Sequence, residues 1–266
     1  MDRLSCLESQ SIYIIREAYA KFNKLAVLWS MGKDSSVLLW LIRKAFCGHI
    51  PFPAVHIDTT LKIPEMIEFR DQYAQECGFE LKVGMNQEEL DKGMGPNLGK
   101  VKCCHALKTE ALQQLIDKEG YNGLFLGIRR DEEGTRAKER FFSSRDKNFE
   151  WDFKDQMPEV WDQFNTNFDK DTHVRIHPIL QWGEIDIWEY IKKENIPIID
   201  LYFAKEGKRY RSLGCHTCTF PIKSSAETID EIIAELKQSD CTERSGRAQD
   251  QESNYAMQDL RVKGYM

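Results

Sequence analysis

The apolar run Leu25-Ala26-Val27-Leu28-Trp29 passes directly into the polar turn Ser30-Met31-Gly32-Lys33-Asp34-Ser35-Ser36, and that turn into Val37-Leu38-Leu39-Trp40-Leu41-Ile42. A short unbroken apolar run reads as a strand buried on both faces, and the longer run after the turn begins a helix. The order strand, loop, helix commits the chain to a layered α/β arrangement, because a strand apolar on both sides needs helices above and below it. It also makes a phosphate site. The first turn of a helix carries unpaired N–H groups and the positive end of the helix dipole. Gly32 permits close backbone approach, Ser30, Ser35 and Ser36 offer hydroxyl donors, and Lys33 adds a charge. Asp34 orients the loop or helps hold a magnesium ion. An N-capped turn with incidental serines is the competing reading.

The same alternation continues along the chain. Leu7 to Phe22 reads as a helix, Phe52 to Ile57 as a strand, Pro64 to Cys77 as a helix with proline in its first turn, and Phe79 to Val83 as a strand. Gln87 to Lys102, with three glycines and a proline, reads as a mobile loop. A helix from Cys104 to Glu119, a strand from Leu124 to Ile128, an aromatic and charged excursion from Phe141 to Asp171, a short strand from Val174 to Leu180 and a helix from Glu184 to Glu194 follow. After a Cys-containing loop comes a helix from Thr228 to Lys237 and then a polar tail. The expected fold is a doubly wound, mostly parallel sheet. Residues 1–200 are expected to form the ATP-binding α/β domain, with 201–266 as a Cys-containing tail segment packed on it.

Composition excludes several classes. No run approaches the ~20 apolar residues of a spanning helix, and the chain opens with charges rather than a signal sequence, so a cytoplasmic protein without membrane contact is expected. A formal charge of −6 argues against binding nucleic acid through bulk charge, although a local basic patch stays open. Eight cysteines without a secretory signal read as reduced thiols or metal ligands.

The loop departs from the Walker pattern, which ends a longer Gly-bounded loop in lysine and Ser/Thr. Its serine-rich form resembles the N-type ATP pyrophosphatase superfamily, whose loops hold the β,γ-pyrophosphate as a leaving group. Beyond it, Pro51 to Thr59, Ile128 to Glu133 with Arg136 to Arg140, and Thr242-Glu243-Arg244-Ser245-Gly246-Arg247 resemble the small, ATP-cleaving subunit of bacterial sulfate adenylyltransferase over nearly the whole chain. The resemblance implies a PP-loop fold of the adenine-nucleotide α-hydrolase type, ATP with Mg²⁺, adenylylation of sulfate, and a GTPase subunit as partner. Asp58, at a strand's carboxyl end, is a candidate for ribose or adenine, with a solvated strand-end carboxylate as the rival. Arg129, Arg130 and Arg136 suit triphosphate or oxyanion binding because guanidinium forks match that geometry. Lys33, Asp34, Arg129 and Arg130 are the expected catalytic set, acting by positioning and charge neutralisation without a general base.

Cys103-Cys104 and Cys215-His216-Thr217-Cys218 form a pair of pairs. Four thiolates suit a [4Fe–4S] cluster or zinc. This layout is similar to assimilatory adenylyl-sulfate reductases, which carry a [4Fe–4S] cluster, whereas sulfate adenylyltransferase small subunits as a rule lack it. A pyrophosphatase with such a cluster also resembles the ATP-cleaving components of DNA phosphorothioation systems, which act on DNA with a cysteine desulfurase and other DNA-modification proteins. Cys6, Cys47, Cys77 and Cys241 read as structural.

Overall fold

The computed structural model describes residues 2–161, 163–169, 172–238, 243 and 260–265. Helix α1 (Arg3–Lys21) starts where the Asp2 carboxylate accepts from the Ser5 N–H at 2.7 Å. The fully buried β1 (Leu25–Leu28) leads through the polar loop into α2 (Lys33–Ala45). Next come β2 (Ala54–Ile57), α3 (Pro64–Cys77) with Pro64 at its first position, and β3 (Leu81–Gly84). After α4 (Gln87–Asp91) and α5 (Lys100–Cys104), the chain runs π-helically through His105–Glu110 into α6 (Ala111–Glu119) and β4 (Gly123–Phe125). Then follow β5 (Phe142–Arg145), β6 (His173–Ile176), α7 (Glu184–Glu194), the short hairpin of β7 (Lys208–Arg209) and β8 (Ile222–Lys223), and α8 (Ile229–Gln238).

The main sheet has the order β3-β2-β1-β4-β6-β5. Its first five strands are parallel, with Val27 opposite Ala54 on one side and Phe125 on the other; β5 runs antiparallel to β6 at the edge. The chain leaves β1 toward β2 and β3, then returns to place β4 on β1's other side. A crevice therefore opens at the carboxyl ends of β1 and β4, where open α/β sheets bind their ligands. Helices α1 and α7 pack on α2, and α8 packs on α7. No described helix is long and apolar enough to cross a membrane.

Three expectations need correction. Helix α2 begins at Lys33 rather than Val37, because Asp34, Ser35 and Ser36 form its first turn. The stretch read as a loop, Gln87 to Lys102, holds α4 and the start of α5, and Asn86 pins it by donating to the Ala106 carbonyl at 2.9 Å. Five-residue helices are too short to show a 3.6-residue period, so composition decided that reading wrongly. The Phe141 excursion contains a sheet strand, β5, which is too short and too evenly buried to show an alternating pattern.

Candidate active site

The loop turns at Met31, not at Gly32. Met31 is buried and takes φ 60°, while Gly32 lies in the extended region at φ −70°. A non-glycine residue in the left-handed region is held there by its surroundings, as happens at ligand sites. Gly32 still matters for space, since a Cβ there would come to 3.3 Å from Ser30 Oγ. Behind the loop, Gly127 follows β4 and supports the start of α2. A Cβ on Gly127 would lie 2.9 Å from the Ser35 amide nitrogen and 3.0 Å from the Asp34 carbonyl.

The serines divide. Ser35 Oγ accepts from the Ser30 N–H at 3.2 Å and contacts the Gly32 carbonyl at 3.0 Å, and both Ser30 and Ser35 line the crevice. Ser36 is fully buried and accepts from Trp29 Nε1 at 3.3 Å, so its hydroxyl is turned into the core. At the helix start, the Lys33 N–H donates to the Tyr202 hydroxyl at 2.8 Å.

Lys33 is only 1% exposed. Its ammonium pairs with Glu243, with Asp34 at 3.2 Å and with Glu184 at 3.8 Å. Arg129, also fully buried, pairs with Asp34 and Glu243 and donates from Nε to Asp131 at 2.9 Å. Burial works to raise the Glu243 pKa, but Lys33 and Arg129 outweigh it and hold the carboxyl well below the usual range. Burial likewise opposes the Arg129 charge, and Glu243 and Asp131 more than restore it. Two cations and four carboxylates thus converge at the amino end of α2.

Together with the loop, Leu28, Leu126, Gly127 and Ile128 at the strand ends enclose a cavity of about 160 Å³. Lys62, Lys108, Arg136, Tyr202, Gly214, Glu243 and Tyr265 are also among its lining residues. Arg136 carries Glu132 as its ion-pair partner. Four of the residues predicted for catalysis or ATP binding, Ser36, Asp58, Arg129 and Arg130, are not among the lining residues. Asp58 accepts from the Thr60 N–H at 2.8 Å and faces Arg70 at 3.8 Å, the strand-end role named as its rival. Arg130 stands 5.4 Å over the Phe141 ring and reaches the Glu139 carbonyl, and burial lowers its pKa.

Cys103, Cys104, Cys215 and Cys218 are all buried, whereas Cys6 and Cys47 are exposed and Cys77 is half-buried; Cys241 lies outside the described residues. Burial, then the neighbouring Cys104, Cys215 and Cys218, push the Cys103 thiol up to about 11, with Lys108 opposing. Cys215 also sits 3.2 Å from Thr59 Oγ1, and its backbone bridges to Lys62. The four soft donors therefore share one neighbourhood, which suits the chemistry of an iron–sulfur or zinc site. Among the described residues, however, no three Cys, His, Asp or Glu side chains already converge in metal-ligating geometry.

Sequence reasoning missed Tyr202, Lys62, Lys108, Gly127 and Tyr265. Glu243 lay within the Thr242 to Arg247 stretch, and the rest of that stretch lies outside the described residues. Nothing in that stretch signalled that Glu243 would reach Lys33, 210 residues earlier.

Comparison with known proteins places this crevice in context. The phosphoadenosine phosphosulfate reductase domain family matches residues 24–221. A sulfate adenylyltransferase subunit 2 from Saccharophagus degradans is 43% identical, covering 100% of this chain and 98% of the relative. The chain belongs to the sulfate adenylyltransferase subunit 2 family. Its counterpart from Colwellia psychrerythraea is 41% identical over 100% of this chain and 99% of its own length. Among solved structures, a Candida auris phosphoadenylyl-sulfate reductase aligns at TM-score 0.57 and 18% identity, covering 83% of this chain and 98% of that one. A Candida glabrata FMN adenylyltransferase in complex with ATP aligns at TM-score 0.58 and 18% identity, covering 82% and 63%. These two share the PP-loop α/β fold with the subunit 2 family.

Proposed function

We propose that this chain is the ATP-cleaving subunit of a sulfate adenylyltransferase. A sulfate oxygen attacks the α-phosphorus of ATP, the bond to the β-phosphate breaks, and pyrophosphate leaves as adenylyl sulfate forms. The observation that carries this reading is the convergence of buried Lys33 and Arg129 on Glu243 at the amino end of α2. That end offers unpaired N–H groups to the leaving pyrophosphate, and the two cations neutralise charge that grows there during the reaction. Mg²⁺ would arrive with the phosphates, since it is usually bound through one or two carboxylates plus substrate phosphates, and Asp34 is the nearest carboxylate of the loop. Arg136 is assigned to the triphosphate from the cavity wall. No protein nucleophile or general base is required, because positioning and charge neutralisation carry such a transfer. The relatives' designation as subunit 2 calls for a second subunit, and we assign that place to a GTPase.

The test is release of pyrophosphate from ATP that depends on added sulfate. ADP and orthophosphate as the only products would end the proposal.

The thiol quartet favours a second reading, an iron–sulfur ATP pyrophosphatase of DNA phosphorothioation in which adenylylation activates a DNA phosphate before a cysteine desulfurase's sulfur enters. Cys103, Cys104, Cys215 and Cys218 would hold a [4Fe–4S] cluster, which supplies a soft iron–sulfide centre suited to handling sulfur. A U34-tRNA thiolase from Methanococcus maripaludis with its [4Fe-4S] cluster shares the fold at TM-score 0.52 and 14% identity, covering 98% of this chain and 78% of that one. Pyrophosphate release that requires an oligonucleotide, and not sulfate, would select this reading.

A further inference from the structure

The stretch 260–265 is held by four separate parts of the fold. Arg175 on β6, itself 2% exposed, donates to the carbonyl of Tyr265 at 2.6 Å and to that of Gly264. The Trp151 N–H donates to the Val262 carbonyl at 3.0 Å, Gln113 on α6 reaches the Lys263 carbonyl at 3.4 Å, and Arg261 pairs with Glu133. These bonds go mostly to carbonyls, so they hold a segment of backbone rather than one side chain. Gly264 takes φ 90°, and a Cβ on it would come to 3.0 Å from the Phe149 carbonyl and 3.2 Å from Gln113 Nε2. The seat is built around glycine. A buried guanidinium is costly unless its donors are bonded, so Arg175 favours the seated state.

Once seated, the stretch meets two functional neighbourhoods. Leu260 and Tyr265 form one buried apolar cluster with Cys104, and Val101 packs against it. Cys215, by contrast, is engaged by Thr59 and by the bridge to Lys62. Tyr265 is also among the residues lining the nucleotide cavity, and Cys104 is not.

We propose that residues 260–265 form a strap that seals Cys104 from solvent and at the same time closes one wall of the nucleotide cavity, so that a ligand in the cavity holds the strap down over the thiol. The inference rests on reading that cavity as the ATP site. Because Cys104 does not line the cavity, ATP protects it only through the strap. A ligand that binds the seated state depletes the open state in proportion to its occupancy.

The experiment follows iodoacetamide alkylation of each cysteine by mass spectrometry in the full chain as purified, with ATP binding measured by equilibrium dialysis. Gly264→Ala and Arg175→Met should each speed alkylation of Cys104 by about tenfold, as expected for a loosened local segment, and leave the rates at exposed Cys47 and at Cys77 on α3 unchanged. In wild type, ATP at about ten times its Kd should slow alkylation of Cys104 by about tenfold and leave Cys47 unaffected. This arm needs no variant, so it stands even if a substitution prevents folding. An unchanged Cys104 rate in the folded variants overturns the proposal, and so does an equal rise at Cys77, which would be general loosening. Bound ATP without protection of Cys104 overturns it as well. If dialysis shows that wild type binds no ATP, the reading of the cavity fails separately, and the rates in Gly264→Ala and Arg175→Met decide whether the strap seals the thiol.

Discussion

Lys33 and Glu243 form a buried ion pair across most of the length of the chain, and the same carboxylate reaches Arg129 through its second oxygen. Removing one member of a buried pair leaves its partner uncompensated, which typically costs about 3–5 kcal/mol. Glu243→Gln should therefore lower the melting temperature of the ligand-free protein. A polyanion would supply the missing charge, so inorganic pyrophosphate should raise the melting temperature of Glu243→Gln by more than it raises that of wild type. Equal shifts in the two proteins would show that pyrophosphate does not use these cations.

Asp34 touches both cations of the site and belongs to the first turn of α2. Asp34→Asn keeps its shape and removes its charge, and pyrophosphate release should fall by about 10²-fold, the scale of one preorganised electrostatic contact. Lys33→Ala and Arg129→Ala should lose at least as much. Arg130→Ala should retain turnover within a few fold, because Arg130 stacks on Phe141 rather than lining the cavity. A large loss at Arg130 with unchanged melting would return it to the site.

The framework was legible where a buried parallel strand is an unbroken apolar run followed by a turn, as β1 is. Leu25 to Trp29 and the serine loop are a local signal, readable within a dozen residues. Tyr202, Lys108 and Tyr265 were not legible, since nothing local marks a residue that reaches the pocket only when distant segments fold together. Asp58 and Ser36 show the converse. Both have the right chemistry at the right place in sequence, yet one is engaged by Thr60 and Arg70 and the other by Trp29.

Gly127 gives a test of the loop's support that involves no charge. The Cβ of Gly127→Ala would press on backbone atoms of Ser35 and Asp34, which cannot rotate away as a side chain end would. Overpacking of this kind typically costs about 1–3 kcal/mol. Here the displaced atoms are the phosphate-binding turn itself, so turnover should drop more steeply than stability. Gly134→Ala, where a Cβ meets open space, is the control. If both variants match wild type in turnover and melting, β4 does not brace the loop.

For the cysteines, protein purified without oxygen should be brown and contain iron and acid-labile sulfide in about a four-to-four ratio, as a [4Fe–4S] cluster requires. Serine at Cys103, Cys104, Cys215 or Cys218 should bleach it, and Cys47→Ser should not, since Cys47 is exposed and away from the quartet. Stoichiometric zinc in a colourless protein would instead assign a structural metal and weaken the sulfur-insertion reading.

Acid should destabilise the fold before most carboxylates titrate. Burial lowers the pKa of His56 to about 3, of His173 to about 2 and of His177 to about 4, so all three stay neutral in the folded protein at pH 5. In the unfolded chain the same rings take up protons near pH 6.5. Between pH 6.5 and 4 the unfolded state therefore binds more protons, and stability rises with pH across that window and is lost as pH falls through it. Each ring contributes about 1.4 kcal/mol per pH unit once its unfolded form is fully protonated. Urea unfolding at pH 7, 6 and 5 should show this as a falling midpoint, and His177→Asn should make the fall shallower by one proton's worth. A midpoint that does not change from pH 7 to 5 would mean that at least one of these rings is charged in the folded state or that a compensating group titrates against them.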